Sequence, residues 1–164
     1  MAGHSLPDSP YEHGGEAFKF FLQFHAPKTL RSTECFTEAL LDCAGTGGEV
    51  MMTVVDTESP YEYEERLFNR LRFPLGEPKS IMEAPAHLFA ANQLADLIPI
   101  FSLTVGWQWE AYLHMARSRT VLLNWEGEIF DFWTDDDPVF SGLVGMLKTF
   151  GLNETQPAQQ GGSA

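Results

Sequence analysis

Apolar positions in the first third of the chain change from a period of two to a period near 3.6 and back. Residues 17–26 predict a strand because apolar side chains fill every second position: Phe18, Phe20, Leu22 and Phe24. Residues 33–44 predict a helix from the spacing of Cys35, Phe36, Ala39, Leu40 and Cys43. Residues 49–55 are apolar on both faces, which is typical of a strand inside a sheet.

The middle of the chain predicts two further helices. The first begins at Ser59 and Pro60, ends near Phe73 and carries an apolar stripe of Tyr63, Leu67 and Leu71 with Phe68 beside it. A short edge strand is expected at residues 79–83. The second helix runs from residue 86 to residue 106, and Pro99 must kink it or split it, because proline removes a hydrogen bond and crowds the preceding turn.

The last third predicts a meander of three strands, at residues 107–115, 119–125 and 128–133, followed by a helix that ends at Gly151. Together the elements predict an α+β fold. Its sheet is expected to be mixed, with a C-terminal three-stranded antiparallel meander and about four helices packed mainly on one face.

Two-residue turns in the meander fix a register. Tyr112, Leu123 and Phe130 then share one face, and His114, Val121 and Phe132 lie beside them. Asp131 falls on the opposite face, next to Leu113 and Leu122. A carboxylate among such neighbours would have its pKa raised by desolvation, as some catalytic groups do, unless it lies at an edge and reaches water.

Composition divides the chain into three parts. Residues 1–15 are predicted to be a flexible arm, residues 16–152 a single α+β domain, and residues 153–164 a flexible polar tail, since both ends lack an apolar period. The N-terminus has no secretory pattern, and no run of about 18 apolar residues predicts a membrane span. Cys35 and Cys43 are too far apart on one helix to pair. Two buried, reduced thiols fit a cytoplasmic protein.

The net charge of the chain limits the classes of molecule that it can bind. The chain has 23 acidic residues against 10 lysines and arginines, a formal net charge of −13. This charge repels phosphate backbones and anionic lipids, so neither nucleic acid nor a membrane is expected as a partner. It attracts a basic protein, although it is also compatible with a role in solubility alone.

Several residues are candidates for binding. Trp107 and Trp109 share a predicted strand face and would form either an interface anchor or part of the core. Asp135, Asp136 and Asp137 suit a basic partner or a metal, but the favoured role for them is to cap the N-terminus of the last helix. His114 shares a strand face with Glu110, but four residues of strand separate them by about 13 Å, so direct contact is excluded.

No zinc, calcium, phosphate-loop or nucleophile motif is present, so no cofactor, metal ligand or catalytic residue is assigned. In size, charge and mix of elements the chain resembles the small acidic α+β proteins that bacteria use as inhibitors or immunity proteins. The net charge and the missing catalytic motif favour a non-catalytic interaction domain with a basic protein partner, such as an inhibitor or immunity-like protein. Two alternatives stay open: a small enzyme that uses Asp131 or Glu110 with His114, and a domain that binds a small apolar ligand.

Overall fold

The computed structural model describes residues 18–45, 47–56 and 61–155. The expected N-terminal arm, the start of the second helix at Ser59 and Pro60, and the tail beyond residue 155 lie outside these residues. Four α-helices and six strands follow one another in the described chain, with short 3-10 turns between some of them: β1 (Phe20–His25), α1 (Leu30–Cys43), β2 (Val50–Asp56), α2 (Glu62–Arg72), β3 (Ala86–Phe89), α3 (Leu94–Gly106), β4 (Glu110–Met115), β5 (Thr120–Trp125), β6 (Ile129–Thr134) and α4 (Asp137–Phe150).

The six strands form one sheet in the order β1-β6-β5-β4-β2-β3, and every pairing in it is antiparallel. The α+β class and the C-terminal meander of β4, β5 and β6 are therefore confirmed. No described helix is long and apolar enough to cross a membrane.

The inner face of the sheet carries the hydrophobic core. One row of five cross-strand neighbours crosses it from β1 to β2, and all five are buried: Leu22, Phe132, Leu122, Leu113 and Met52. Helices α1, α3 and α4 contribute the other side of this core. Rings of Phe24, Phe36 and Phe130 meet at centroid distances of 5.6 to 5.9 Å, which joins α1 to the sheet.

Local sequence signals set the ends of two of these helices. Thr29 and Ser32 form a capping box at the start of α1, in which each side chain accepts a hydrogen bond from the other residue's backbone N–H. Asp136 caps α4 by accepting from the backbone N–H of Val139 at 3.0 Å, and Gly151 ends it in the left-handed conformation. The expected capping of the last helix is confirmed.

Residues 86–89 form an edge strand, so the prediction that a helix begins at Ala86 is wrong. Residues 79–83, expected as the edge strand, include a turn. The backbone N–H of Val54 donates to the carbonyl of Pro85 at 3.0 Å, which starts the pairing of β3 with β2. Four residues with Leu88 exposed and His87 and Phe89 buried are too few to distinguish a period of two from one of 3.6. Helix α3 starts at Leu94 and runs through Pro99.

The β5–β6 turn is one residue longer than expected, and this corrects the register. Residues 126–128 connect the strands, with φ of 46° at Glu126 and 73° at Gly127. Leu123 therefore pairs with Asp131, and Val121 pairs with Trp133. Asp131 thus lies on the same outer face as Tyr112 and His114, because a slip of one residue moves every side chain of a strand to the other face.

The buried stripe of α1 is Thr33, Phe36, Thr37, Leu40 and Leu41. Cys35 is exposed and Cys43 is half-buried, and both are free thiols. The expectation that both thiols are buried is wrong for Cys35. The stripe is rotated by about one residue because two threonines, rather than Cys35 and Ala39, complete it.

Candidate interaction surfaces

Helix α2 turns its apolar stripe toward solvent. Tyr63, Leu67 and Leu71 are 57, 41 and 36% exposed, whereas Glu64, Phe68 and Arg72 are buried. Tyr61 and Phe73 flank the helix and are also exposed, and the Tyr61 and Tyr63 rings stack with centroids 5.8 Å apart. These five residues are called the α2 surface below.

Exposed apolar side chains are concentrated between residues 55 and 88 of the chain. Eight of the ten large exposed apolar residues in the described part of the chain lie on α2, the end of β2, β3 or the connecting loop: Val55, Tyr61, Tyr63, Leu67, Leu71, Phe73, Met82 and Leu88. Leu88 and Val55 lie on the outer face of the sheet, so only the residues on α2 form one exposed row. An exposed apolar row marks a binding surface more often than scattered single residues do.

Arg72 holds α2 against the sheet. Its Nη2 donates to the carbonyl of Ala84 at 2.6 Å and to that of Ala86 at 3.4 Å, and its guanidinium lies 5.6 Å from the Phe68 ring. Phe68 in turn contacts Trp109 at a centroid distance of 5.3 Å. Burial lowers the pKa of Arg72, with Glu77 acting in the opposite direction.

The end of the sheet where β4 begins carries three carboxylates. Asp56 on β2 is the cross-strand partner of Glu110 on β4, and Glu126 lies in the β5–β6 turn. Burial raises the pKa of Glu110, and the charges of Asp56 and Glu126 raise it further. We call these three residues the acidic end of the sheet.

The turn that carries Glu126 is fixed by a buried amide. The Asn124 side chain donates to the carbonyl of Trp109 at 2.7 Å and accepts from the backbone N–H of Gly127 at 3.0 Å. It therefore ties the β5–β6 turn to the segment that precedes β4, and so keeps Glu126 on the same end of the sheet as Glu110.

Asp131 lies on the outer face and is fully buried. Its two carboxylate oxygens accept hydrogen bonds from Gln23 Nε2 at 2.8 Å and from Trp125 Nε1 at 2.6 Å. The alternative of a water-exposed edge position is therefore excluded, because β6 lies inside the sheet between β1 and β5.

His114 lies on the same face, half-buried, and its ring stacks on that of Tyr112 at 5.5 Å. Burial lowers its pKa to about 4. His114 and Asp131 are on β4 and β6, so β5 separates them by two strand spacings, about 10 Å. The structure does not bring this predicted pair into contact.

The two tryptophans lie where the chain passes from α3 to β4. The strand begins at Glu110, after Gln108 adopts a φ of 62°, so Trp107 precedes the strand. Trp109 is buried in the core, and the half-buried Trp107 ring lies 5.1 Å from it. Trp109 thus occupies the core position that was one of the two expectations for it.

The three consecutive aspartates have separate contacts. Asp135 accepts from the backbone N–H of Lys19 at 2.8 Å and forms an ion pair with Arg119 at 2.8 Å. Asp136 caps α4, and Asp137 forms an ion pair with Lys19. In the described part of the chain, no three His, Cys, Asp or Glu side chains are grouped so as to hold a metal ion.

Sequence reasoning missed both surfaces. The α2 stripe has the same spacing as a buried stripe, and only the contacts of Phe68 and Arg72 show which side of the helix faces the core. The acidic end depends on the pairing of β2 with β4, whose residues are more than 50 positions apart. The excess of acidic residues was the one available signal, and it does not locate them.

Comparison of the chain with protein-family models, with curated protein sequences and with solved structures gives no match.

Proposed function

We propose that this protein is a non-catalytic interaction domain that binds a basic protein partner, in the manner of an inhibitor or an immunity protein. The acidic end of the sheet is the proposed contact. The observation that carries the proposal is the crowding of Asp56, Glu110 and Glu126 at one end of the sheet, on a chain with a net charge of −13.

Crowded carboxylates favour a cationic partner for an energetic reason. Like charges on directly opposed strand residues destabilise the pair, and a nearby cation relieves that repulsion. A lysine or arginine delivered by a partner therefore gains from all three carboxylates at once. The net charge of the whole protein also accelerates the encounter with a basic surface.

The geometry gives less support to the enzymatic alternative. The carboxylate of Asp131 is engaged by Gln23 and Trp125, and His114 stacks on Tyr112 about two strands away. An acid–base pair needs its groups within hydrogen-bond reach of one reacting site.

The test is affinity capture with the tagged full chain from a lysate of the organism that encodes it, at low and at high salt, with the captured proteins identified by mass spectrometry. We expect a partner of high isoelectric point that is recovered at low salt and lost at high salt. The double variant Glu110→Gln/Glu126→Gln should reduce its recovery several-fold.

The matched control is Glu34→Gln/Glu38→Gln, which removes the same charge from α1 and should leave recovery nearly unchanged. Equal losses for the two double variants would show that net charge alone governs capture and would contradict a defined contact. Recovery of no basic protein at either salt concentration would contradict the function itself.

A further inference from the structure

Helix α2 presents an ordered apolar row rather than scattered residues. Tyr63, Leu67 and Leu71 are four residues apart and therefore lie on one side of the helix. The helix has 11 residues and a length of about 16 Å, so the row runs along all of it. The row of Tyr63, Leu67 and Leu71, with the Tyr61 ring stacked on Tyr63 at one end, is long and narrow, as a helix–helix contact requires.

Contacts on the buried side of α2 fix the orientation of this row. Arg72 donates to the carbonyls of Ala84 and Ala86 at the start of β3. Phe68 packs on Trp109, and Asn69 Oδ1 accepts from the backbone N–H of Ile81 at 2.8 Å. Rotating α2 to bury its apolar row would break all three contacts. The row is therefore available to another molecule without rearrangement of the domain.

Charge around α2 differs from charge elsewhere. Between Glu62 and Glu83 the sequence has five acidic and four basic residues, whereas the rest of the chain has 18 acidic and six basic residues. Two copies of a protein with a net charge of −13 repel each other, and the repulsion is smallest where the local charges balance. This balance favours a second copy as the occupant of the α2 surface.

The charges on α2 are also ordered along its axis. Outside the buried Glu64 and Arg72, the first turn carries Glu62 and Glu65 and the last turn carries Arg70. Glu62 forms an ion pair with Arg66 at 3.6 Å, while Arg70 forms no ion pair within the described residues. Two such helices are electrostatically complementary when they lie antiparallel, as they do across a two-fold axis.

The geometry points to the α2 surface as a self-association interface, with two copies of this chain related by a two-fold axis near Leu67. Tyr63 of one copy then lies opposite Leu71 of the second, and the acidic first turn of each helix lies beside the basic last turn of the other. This inference goes beyond the proposed function, because the acidic end of the sheet is a different surface. One short helix per copy buries less than the roughly 1,600 Å² of a standard interface, so the dimer is weak, with a Kd in the micromolar range.

The test is sedimentation velocity of the full chain over a concentration series from about 1 to 500 µM. Wild type should shift from monomer to dimer within this range. Leu67→Glu should remain monomeric at every concentration, because it places two carboxylates at the two-fold axis. Leu30→Glu is the matched control, since Leu30 is an exposed leucine at the start of α1, and it should dimerise as wild type does.

A charge exchange tests the orientation of the helices. Arg70→Glu should weaken the dimer at least several-fold, and Glu62→Arg/Arg70→Glu should restore it, since the facing ends of the two antiparallel helices again carry opposite charges. Thermal unfolding should stay close to wild type for Leu67→Glu, because Leu67 is exposed. Any of three results would overturn the inference. They are a wild type that is monomeric at 500 µM, equal dimerisation of Leu30→Glu and Leu67→Glu, and a double variant that dimerises no better than Arg70→Glu. Capture of a basic partner by Leu67→Glu reports separately on the proposed function.

Discussion

His114 is kept neutral by its place on the outer face of β4. Its neighbours across the strands are Met51 and Val121, and Tyr112 stacks on its ring, so the imidazolium form is poorly solvated. The pKa of about 4 is below the ordinary value of 6.5. The unfolded chain therefore binds a proton at this residue between these two pH values, whereas the folded protein does not.

The sign of the pH dependence follows from this difference. Stability contributed by neutral His114 is complete above pH 6.5 and is lost as the pH falls toward 4, by at most about 3 kcal/mol. We expect His114→Phe, which keeps a ring beside Tyr112, to flatten the dependence of the unfolding free energy on pH in this window. Urea unfolding at pH 7, 5.5 and 4.5 measures the unfolding free energy of both proteins. The same dependence on pH in wild type and in His114→Phe would show that His114 is not the group responsible.

Both side-chain oxygens of the buried Asp131 act as hydrogen-bond acceptors, one for Gln23 and the other for Trp125. Asp131→Asn replaces one oxygen with an NH₂ group, which faces the N–H of either Trp125 or Gln23. We expect a loss of about 2 kcal/mol in the free energy of unfolding. Asp137→Asn, at an exposed ion pair, should change it by less than about 1 kcal/mol. Similar values for the two variants in urea unfolding would show that Asp131 is not held as described.

At the scale of elements, the stability of the fold depends on the turn between β5 and β6. A Cβ at Gly127 would collide with the backbone carbonyl of Val105, and the residue has a φ of 73°. Gly127→Ala is therefore expected to destabilise the fold by about 2 kcal/mol or more. The contrast is Gly145→Ala in the middle of α4, where no atom lies within 4 Å of a new Cβ, and this change should stabilise by about 0.5–1 kcal/mol. Thermal unfolding of the two variants should shift in opposite directions.

The same turn shows where sequence reasoning succeeds and where it stops. The strands of the meander follow from alternating apolar residues, and the β4–β5 register was predicted with the pairing that the structure shows, Tyr112 opposite Leu123. Glu126-Gly127 signals a turn but not whether it has two residues or three. That one residue decides which face Asp131 occupies, so the surroundings of the candidate residues could not follow from local sequence.

The sequence also does not determine which side of a helix is buried. The apolar residues of α4 at Val139, Leu143 and Leu147 are buried as their spacing predicts. The equally regular row of α2 is exposed, because Arg72 and Phe68 make the contacts with the sheet. Helical spacing identifies an apolar side, and only the rest of the fold decides whether that side faces the core.

At the scale of the whole molecule, net charge opposes folding as well as guiding association. Repulsion among 23 acidic residues destabilises the compact state, and Glu110 is a point where this repulsion is felt locally. A raised carboxyl pKa means that the protonated form is favoured in the folded state, so stability falls as the pH rises through that pKa.

Glu110→Gln should therefore raise the Tm at pH 7 by roughly 1–3 °C, and much less at pH 3, where the carboxyl is protonated in both states. Added salt should raise the Tm of wild type more than that of the variant, because it screens the same repulsion. Scanning calorimetry at the two pH values measures both effects. A variant that is less stable than wild type at pH 7 would show that Glu110 makes a favourable contact.

The two edge strands of the sheet, β1 and β3, are covered by different contacts, and this difference affects how the protein can be truncated. The backbones of Asn153 and Thr155 hydrogen-bond to the backbone of β1 at His25 and Gln23, while Arg72 donates to the carbonyls of Ala84 and Ala86 at the start of β3. Unpaired strand backbone is a template for fibril growth. Shortening the chain after Leu152 uncovers β1, so a truncated protein should nucleate thioflavin-positive fibrils at concentrations where the full chain stays clear.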